Sequence, residues 1–192
     1  SRHTADDEKA AIASLDRARA VFSEHIEANH GRAVDTAGDR VLAVFETTDR
    51  AVRACVAIQG DLLIHYAEMP APRRMSFRIG IHLGDIHEKA DGTVYGNGVD
   101  VAARLAALCE PGGVVVSDAV QGSQHRDIDV AFAFLGEHQG KNLTKPVRAY
   151  RVILPSDPEH PNWWKSVLLP ERSQVIIVSV AVAITVLAIV GH

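Results

Sequence analysis

The sequence predicts an α+β sandwich, with helices laid over a largely antiparallel sheet, and three observations carry that prediction. Apolar residues recur at helical spacing in three separate stretches. Short runs of alternating β-forming residues, bounded by Gly, Asp and Pro, lie between and after them. The resulting order is helix, hairpin, helix, hairpin, helix, strand, short helix and two strands, which suits helices packed on an antiparallel sheet.

The first helix is predicted over residues 5–29, where Asp6, Asp7 and Glu8 suit a helix N-terminus and Ile12, Leu15, Phe22 and Ile26 fall near one face. Residues 32–46 form a hairpin about Ala37-Gly38-Asp39-Arg40. An aspartate at such a tip either makes the turn through its own backbone or is presented to a metal or phosphate group. Thr47 or Thr48 caps a second helix with the apolar stripe Val52, Cys55, Val56, Leu62 and Tyr66, and it stops before Pro70. Residues 75–86 read as a strand, since Phe77, Ile79 and Ile81 alternate with polar or small residues, and His87-Glu88-Lys89-Ala90-Asp91-Gly92 turns the chain. A third helix, about 99–109, follows Gly96-Asn97-Gly98 and ends before Pro111-Gly112-Gly113. Strands are then expected at 114–117, 129–136 and 147–153. A fold of this kind would begin with a central strand, yet residue 1 leads straight into the first helix.

Composition limits the functions available. The chain has 192 residues, 47% of them hydrophobic and 23% charged, which allows one core and an appendage. A net charge of −4 without a basic stripe argues against nucleic acid as a partner. Cys55 and Cys109 sit inside apolar helical patterns with no CxxC, which suits buried thiols. His82 and His87 flank Asp85, but five residues along a strand they point to opposite faces.

The C-terminal run Val175 to Val190 is free of charge, and Trp163, Trp164, Lys165, Glu171 and Arg172 precede it. These features predict a transmembrane helix over 172–191, with 154–171 as a Pro-containing linker and 1–153 as the cytoplasmic domain of a cell-membrane protein. The run is also rich in β-branched residues, which leaves a buried helix or a terminal strand as the other outcome.

Asp100 and Arg104 stand four apart in Thr93-Val94-Tyr95-Gly96-Asn97-Gly98-Val99-Asp100-Val101-Ala102-Ala103-Arg104-Leu105 and so share a helix face. Alone, such a pair reads as a surface ion pair, and Gly-Asn-Gly is a weak phosphate-loop signal. Taken in order, however, "GRAVDTAGDRVLAVF", "FRIGIHLGD", "TVYGNGVDVAARLAALCEPGGVVVS" and "LGEHQGKNLTKPVRAYRV" resemble the catalytic domain of class III nucleotidyl cyclases of the bacterial type, over residues 1 to about 153.

The resemblance implies a ferredoxin-like cyclase fold that converts ATP or GTP to the 3′,5′-cyclic nucleotide and pyrophosphate. It implies two ions, Mg²⁺ or Mn²⁺, held between two cyclase domains, hence a homodimer. One ion would lower the pKa of the ribose 3′-hydroxyl and the other would neutralise the triphosphate. Asp39 matches the second of the family's two metal-binding aspartates. The first belongs to the strand before the first helix, so the resemblance implies a chain that lacks its first strand and that ligand. Arg104 matches the arginine that stabilises charge on the α-phosphate. Asp100 stands where the family usually has an Asn that donates to the ribose, and an ionised Asp cannot donate. Asp35 and Thr93 match the base-selecting pair, Thr93 leaning towards adenine. Lys141 matches the phosphate-binding lysine, with Lys145 as a rival position. The function implied is adenylate cyclase. Guanylate cyclase, or a cyclase-shaped regulatory module without turnover, is the alternative.

Overall fold

The computed structural model describes residues 2–35, 40–67, 69–70, 74–123, 130–139, 146–154 and 180–186. Helix α1 (Arg2–Ala28) precedes the strands β1 (Arg32–Asp35) and β2 (Arg40–Phe45), then come α2 (Thr48–Ala67) and β3 (Phe77–Leu83). The short strands β4 (His87–Glu88) and β5 (Val94–Tyr95) lead to α3 (Asn97–Leu108), β6 (Val114–Ser117) and α4 (Asp118–Gln121). Strands β7 (Phe132–His138), β8 (Val147–Val152) and β9 (Val180–Val186) complete the described elements.

Seven of these strands form one sheet in the order β1-β2-β9-β3-β6-β8-β7, and β4 pairs β5 as a separate ribbon. Only β3 and β6 run parallel, because α3 carries the chain across from one to the other. The sheet has a helix layer on each side. α1 and α2 cover the face formed by Val41, Ala43, Phe45, Phe77, Ile79, Ile81, Val114 and Val116. α3 covers the other face, where Val101, Leu105 and Cys109 pack with Val115 and Ala149.

The α1 stripe differs from the one expected: Ser14, Ala18, Val21, Phe22 and Ile26 are buried, whereas Ile12 is 55% exposed. The helix is rotated so that small residues meet α2, and Tyr66 donates to the Ser14 carbonyl at 3.0 Å while accepting from its hydroxyl at 3.0 Å. His25 Nε2 lies 2.7 Å from Asp61 Oδ2, a second link between the two helices. The α2 stripe is as expected, with Val52, Cys55, Val56, Leu62 and Tyr66 all buried. Thr47 rather than Thr48 caps α2, its Oγ1 accepting from the Arg50 amide at 3.3 Å. Phe22 meets the Phe77 ring edge to face at 5.3 Å, and burying each ring contributes about 2 kcal/mol or more.

The main correction concerns the C-terminal apolar run. Residues 180–186 are not helical: they form β9, antiparallel to β2 on one side and β3 on the other. Among the described residues no helix is long and apolar enough to cross a membrane. The membrane anchor and the cytoplasmic placement inferred from that run lose the helix on which they rested. The physical reason lies in the segment itself, where Val180, Val182, Ile184 and Val186 alternate with Ala181, Ala183 and Thr185. That period of two suits a strand, and β-branching favours one. Register sets Ile184 across from Val41 and Ile79, both buried against α1 and α2, and Ala183 across from Gly80. The interior place between β2 and β3 is thus taken by β9. The expected linker at 154–171 lies outside the described residues apart from Leu154.

Candidate active site

Helix α3 is held unusually close to the sheet by glycines. A Cβ at Gly80 would collide with the carbonyl oxygen of Ala102 and come within 2.5 Å of the Ala106 nitrogen. Gly98 packs its first turn on the preceding loop, where a Cβ would lie 2.9 Å from the Asp85 oxygen. The Gly-Asn-Gly segment is therefore a packing device for α3, and Gly96 supplies a φ of 134° at its entry.

Val101, Arg104, Leu105 and Leu108 fall on one flank of α3 at positions i, i+3, i+4 and i+7. Together with Ala107, and with His138, Gln139 and Val147 from the ends of β7 and β8, they line a cavity of about 250 Å³. Arg104 is half-buried, and its Nη1 is enclosed without a hydrogen-bond partner. His138 Nε2 is enclosed and unpartnered in the same way. A buried guanidinium nitrogen lacking an acceptor is costly, and Arg104 gives this largely apolar cavity a cationic wall residue.

Asp100 and Thr93 do not line that cavity. Asp100 is exposed on the first turn of α3, and no ion pair joins it to Arg104. Thr93 is exposed in the β4–β5 turn, where its amide donates to Asp91 Oδ1 at 2.9 Å and thereby holds the Asp91 carboxyl below its usual range. Asp35 ends β1, paired with Leu42 across a β-bulge. Asp39, Lys141 and Lys145 lie outside the described residues. Among the described residues, Arg104 is the one sequence-named position that lines the cavity, and His138 was missed. The signal that could have revealed it is Gly136, two residues earlier, as a bulge marker in a strand.

Neither thiol supplies a nucleophile, because burial pushes Cys109 up to about 11 and Cys55 higher still. His82 is engaged elsewhere, its Nδ1 lying 2.8 Å from Ser117 Oγ. Burial lowers its pKa, against a smaller opposing effect of Asp118. Among the described residues no three His, Cys, Asp or Glu side chains gather as a metal site.

Comparison with known proteins agrees with this geometry. The family described as "Adenylate and Guanylate cyclase catalytic domain" matches residues 2–147. "Putative adenylate cyclase 3" of Rhizobium meliloti (strain 1021) is 34% identical over 134 residues, covering 70% of this chain and 23% of that protein. The chain thus spans about a quarter of the length of the curated relatives it matches. The crystal structure of an adenylate/guanylate cyclase/hydrolase from Silicibacter pomeroyi superposes with a TM-score of 0.66 at 37% identity, over 72% of this chain and 81% of that one. The guanylyl cyclase Cya2 shares the fold, with a TM-score of 0.64 at 18% identity over 79% of this chain and 84% of its own. With the family matched over most of its length and α3 carrying Arg104 into a cavity, the chain belongs to the adenylate and guanylate cyclase catalytic domain family.

Proposed function

We propose that this domain is the catalytic part of an adenylate cyclase, converting ATP to 3′,5′-cyclic AMP and pyrophosphate as a homodimer. Arg104 is the observation that carries the reading. Arg104 lines a cavity whose other walls are mostly apolar, namely Val101, Leu105, Leu108 and Val147, and its Nη1 is enclosed without a partner. When the ribose 3′-oxygen attacks the α-phosphorus and pyrophosphate leaves, negative charge grows on the phosphate oxygens. A fixed donor in a weakly polar cavity opposes that charge more strongly than water would.

Divalent ions supply the activation of the 3′-hydroxyl in this family. The described residues do not fit a two-ion centre. No carboxylate cluster is present among them, and β9, beside β2, contains only Val, Ala, Ile and Thr. Asp39, the carboxylate the resemblance assigns to an ion, lies outside them. The chemistry that these residues do support is the cationic half of the site.

Thr93 supports adenine as the base, while the carboxylate of Asp35 could accept from either the adenine amino group or the guanine edge. A second reading, a cyclase-shaped module that binds nucleotide without turnover, is favoured by Asp100, which replaces an amide donor with an acceptor.

The test is production of cyclic AMP and cyclic GMP from ATP and GTP with Mn²⁺ or Mg²⁺, using Arg104→Ala and Asp39→Ala as controls. Cyclic AMP formation that Arg104→Ala lowers about 100-fold supports the reading. An excess of cyclic GMP would reassign the base. No product from a folded dimer would sink the enzyme reading and leave the module.

A further inference from the structure

We propose that Arg32 and Glu88 are positioning residues for base recognition, tying the β4–β5 ribbon to β1 so that Thr93 is held in place relative to Asp35; this rests on the cyclase reading above. Nη2 of Arg32 donates to both carboxylate oxygens of Glu88, each at 2.9 Å, across 56 residues of sequence. Among the described residues, no other side-chain hydrogen bond leaves the ribbon.

Little else fixes that ribbon. Its strands have two residues each and pair only with one another, outside the seven-stranded sheet. So short a ribbon has no independent stability. Val94 is its buried anchor, and one apolar anchor fixes a point but not a tilt. Glu88 stands directly across from Val94 and shares its face, so the tether acts one residue from Thr93. At its other end the tether joins a firm support, since Arg32 is in register with Val44 of β2. Asp35 ends the same strand three residues further on.

The ribbon is built to pass a displacement along. The Lys89 amide donates to the Thr93 carbonyl and the Gly92 amide to the Lys89 carbonyl, both at 2.9 Å, which closes the turn. The His87 and Tyr95 rings meet at 5.5 Å, and Lys89 Nζ lies 5.4 Å from the centre of the Tyr95 ring. Held across by these contacts, the ribbon turns as one body, and movement at Glu88 reaches Thr93.

The two side chains of the tether are 52% and 46% exposed, so the pair favours the tied arrangement by about fivefold at most. That is too little to hold the fold together. It is enough to bias base choice, because the Thr93 hydroxyl can select a purine edge only through a hydrogen bond, and such bonds weaken steeply with misalignment. The ligand class concerned is the purine base of the nucleoside triphosphate.

The experiment compares wild type, Arg32→Glu, Glu88→Arg and the double variant Arg32→Glu/Glu88→Arg. Calorimetry gives Kd for 3′-deoxy-ATP and 3′-deoxy-GTP, which lack the attacking hydroxyl and cannot cyclise, and turnover of ATP and GTP with Mn²⁺ gives KM and kcat. Each single reversal sets like charges together. It should raise Kd and KM for the preferred nucleotide about threefold to fivefold and move the ratio of the two affinities towards one. It should leave kcat within about twofold and Tm within about 2 °C of wild type. The double variant restores opposite charges and should return to within about twofold of wild type. Single variants that bind both nucleotides as wild type does, or a double variant as impaired as the singles, overturn the tether and leave the cyclase reading standing. A larger fall in Tm with the affinity ratio unchanged makes the pair merely structural and overturns the tether as well. Wild-type chain that binds without turnover still tests the tether through Kd, and wild-type chain that neither binds nor converts nucleotide overturns both readings.

Discussion

Replacing Gly80 with alanine should loosen α3 from the sheet and weaken phosphate binding by the same displacement. The added methyl group would overlap the Ala102 carbonyl oxygen, lie 2.5 Å from the Ala106 nitrogen and 3.1 Å from the Leu105 carbonyl carbon. All three are backbone atoms of one hydrogen-bonded helix, so no side chain can swing aside. Restoring ordinary contacts requires α3 to retreat by about 1 Å, and overpacking of this severity costs about 3 kcal/mol. For a chain of this size that corresponds to a fall in Tm of about 6–12 °C. Arg104 rides on the same helix, and a shift of about 1 Å in a binding group can cost about 100-fold in rate. Thermal unfolding by circular dichroism and pyrophosphate calorimetry on Gly80→Ala provide the assay. A Tm within about 2 °C of wild type, with pyrophosphate binding intact, would refute the close β3–α3 packing.

Other perturbations test different parts of the structure. His82 has a folded-state pKa below its unfolded value, so its neutral form is the one the fold prefers. Its contribution is complete above the unfolded value near 6.5 and is lost as pH falls through the window down to the folded value. Tm measured between about pH 5 and 7.5 should therefore drop more steeply towards acid in wild type than in His82→Gln, and equal slopes would refute that role. Ala183→Pro removes a backbone donor and places a rigid ring in the middle of β9, between Leu42 and Gly80. It should cost about 3 kcal/mol or more, whereas an unchanged unfolding curve would show that 180–186 does not stabilise the sheet.

The element order was legible in the sequence because most of it rests on local pattern. The stripe Val52, Cys55, Val56, Leu62 and Tyr66 needs only a helical period, and 114–117 needs only a short apolar run between Gly113 and Asp118. Two features were illegible for a common reason, which is that pairing partners are distant. The run around 180–186 has the length and hydrophobicity of a membrane segment, and its alternation of Val or Ile with Ala or Thr becomes decisive only beside β2 and β3. His138 could not be placed by counting residues along β7, since plain alternation assigns its face to Glu137. The α1 stripe failed differently: Leu15 and Ile12 look like core residues, yet close approach to α2 favours Ser14 and Ala18 at the contact. Within the site, Arg104 was named from a motif and found at a cavity, while Asp100 and Thr93 share the motif without sharing the cavity.

The position of β9 also bears on how the domain acquires its structure. This interior strand is the last of the described strands to leave a ribosome, and its partners on β2 and β3 precede it by roughly a hundred residues or more. Until it arrives, β2 and β3 have no β9 between them, and the apolar faces of α1 and α2 rest on a divided floor. Closing such a long loop is entropically slow, and the open edges invite pairing with other chains in the meantime. Assembly of the cationic cavity therefore waits on a late event, because Gly80, which sets the height of α3, is paired directly with that strand.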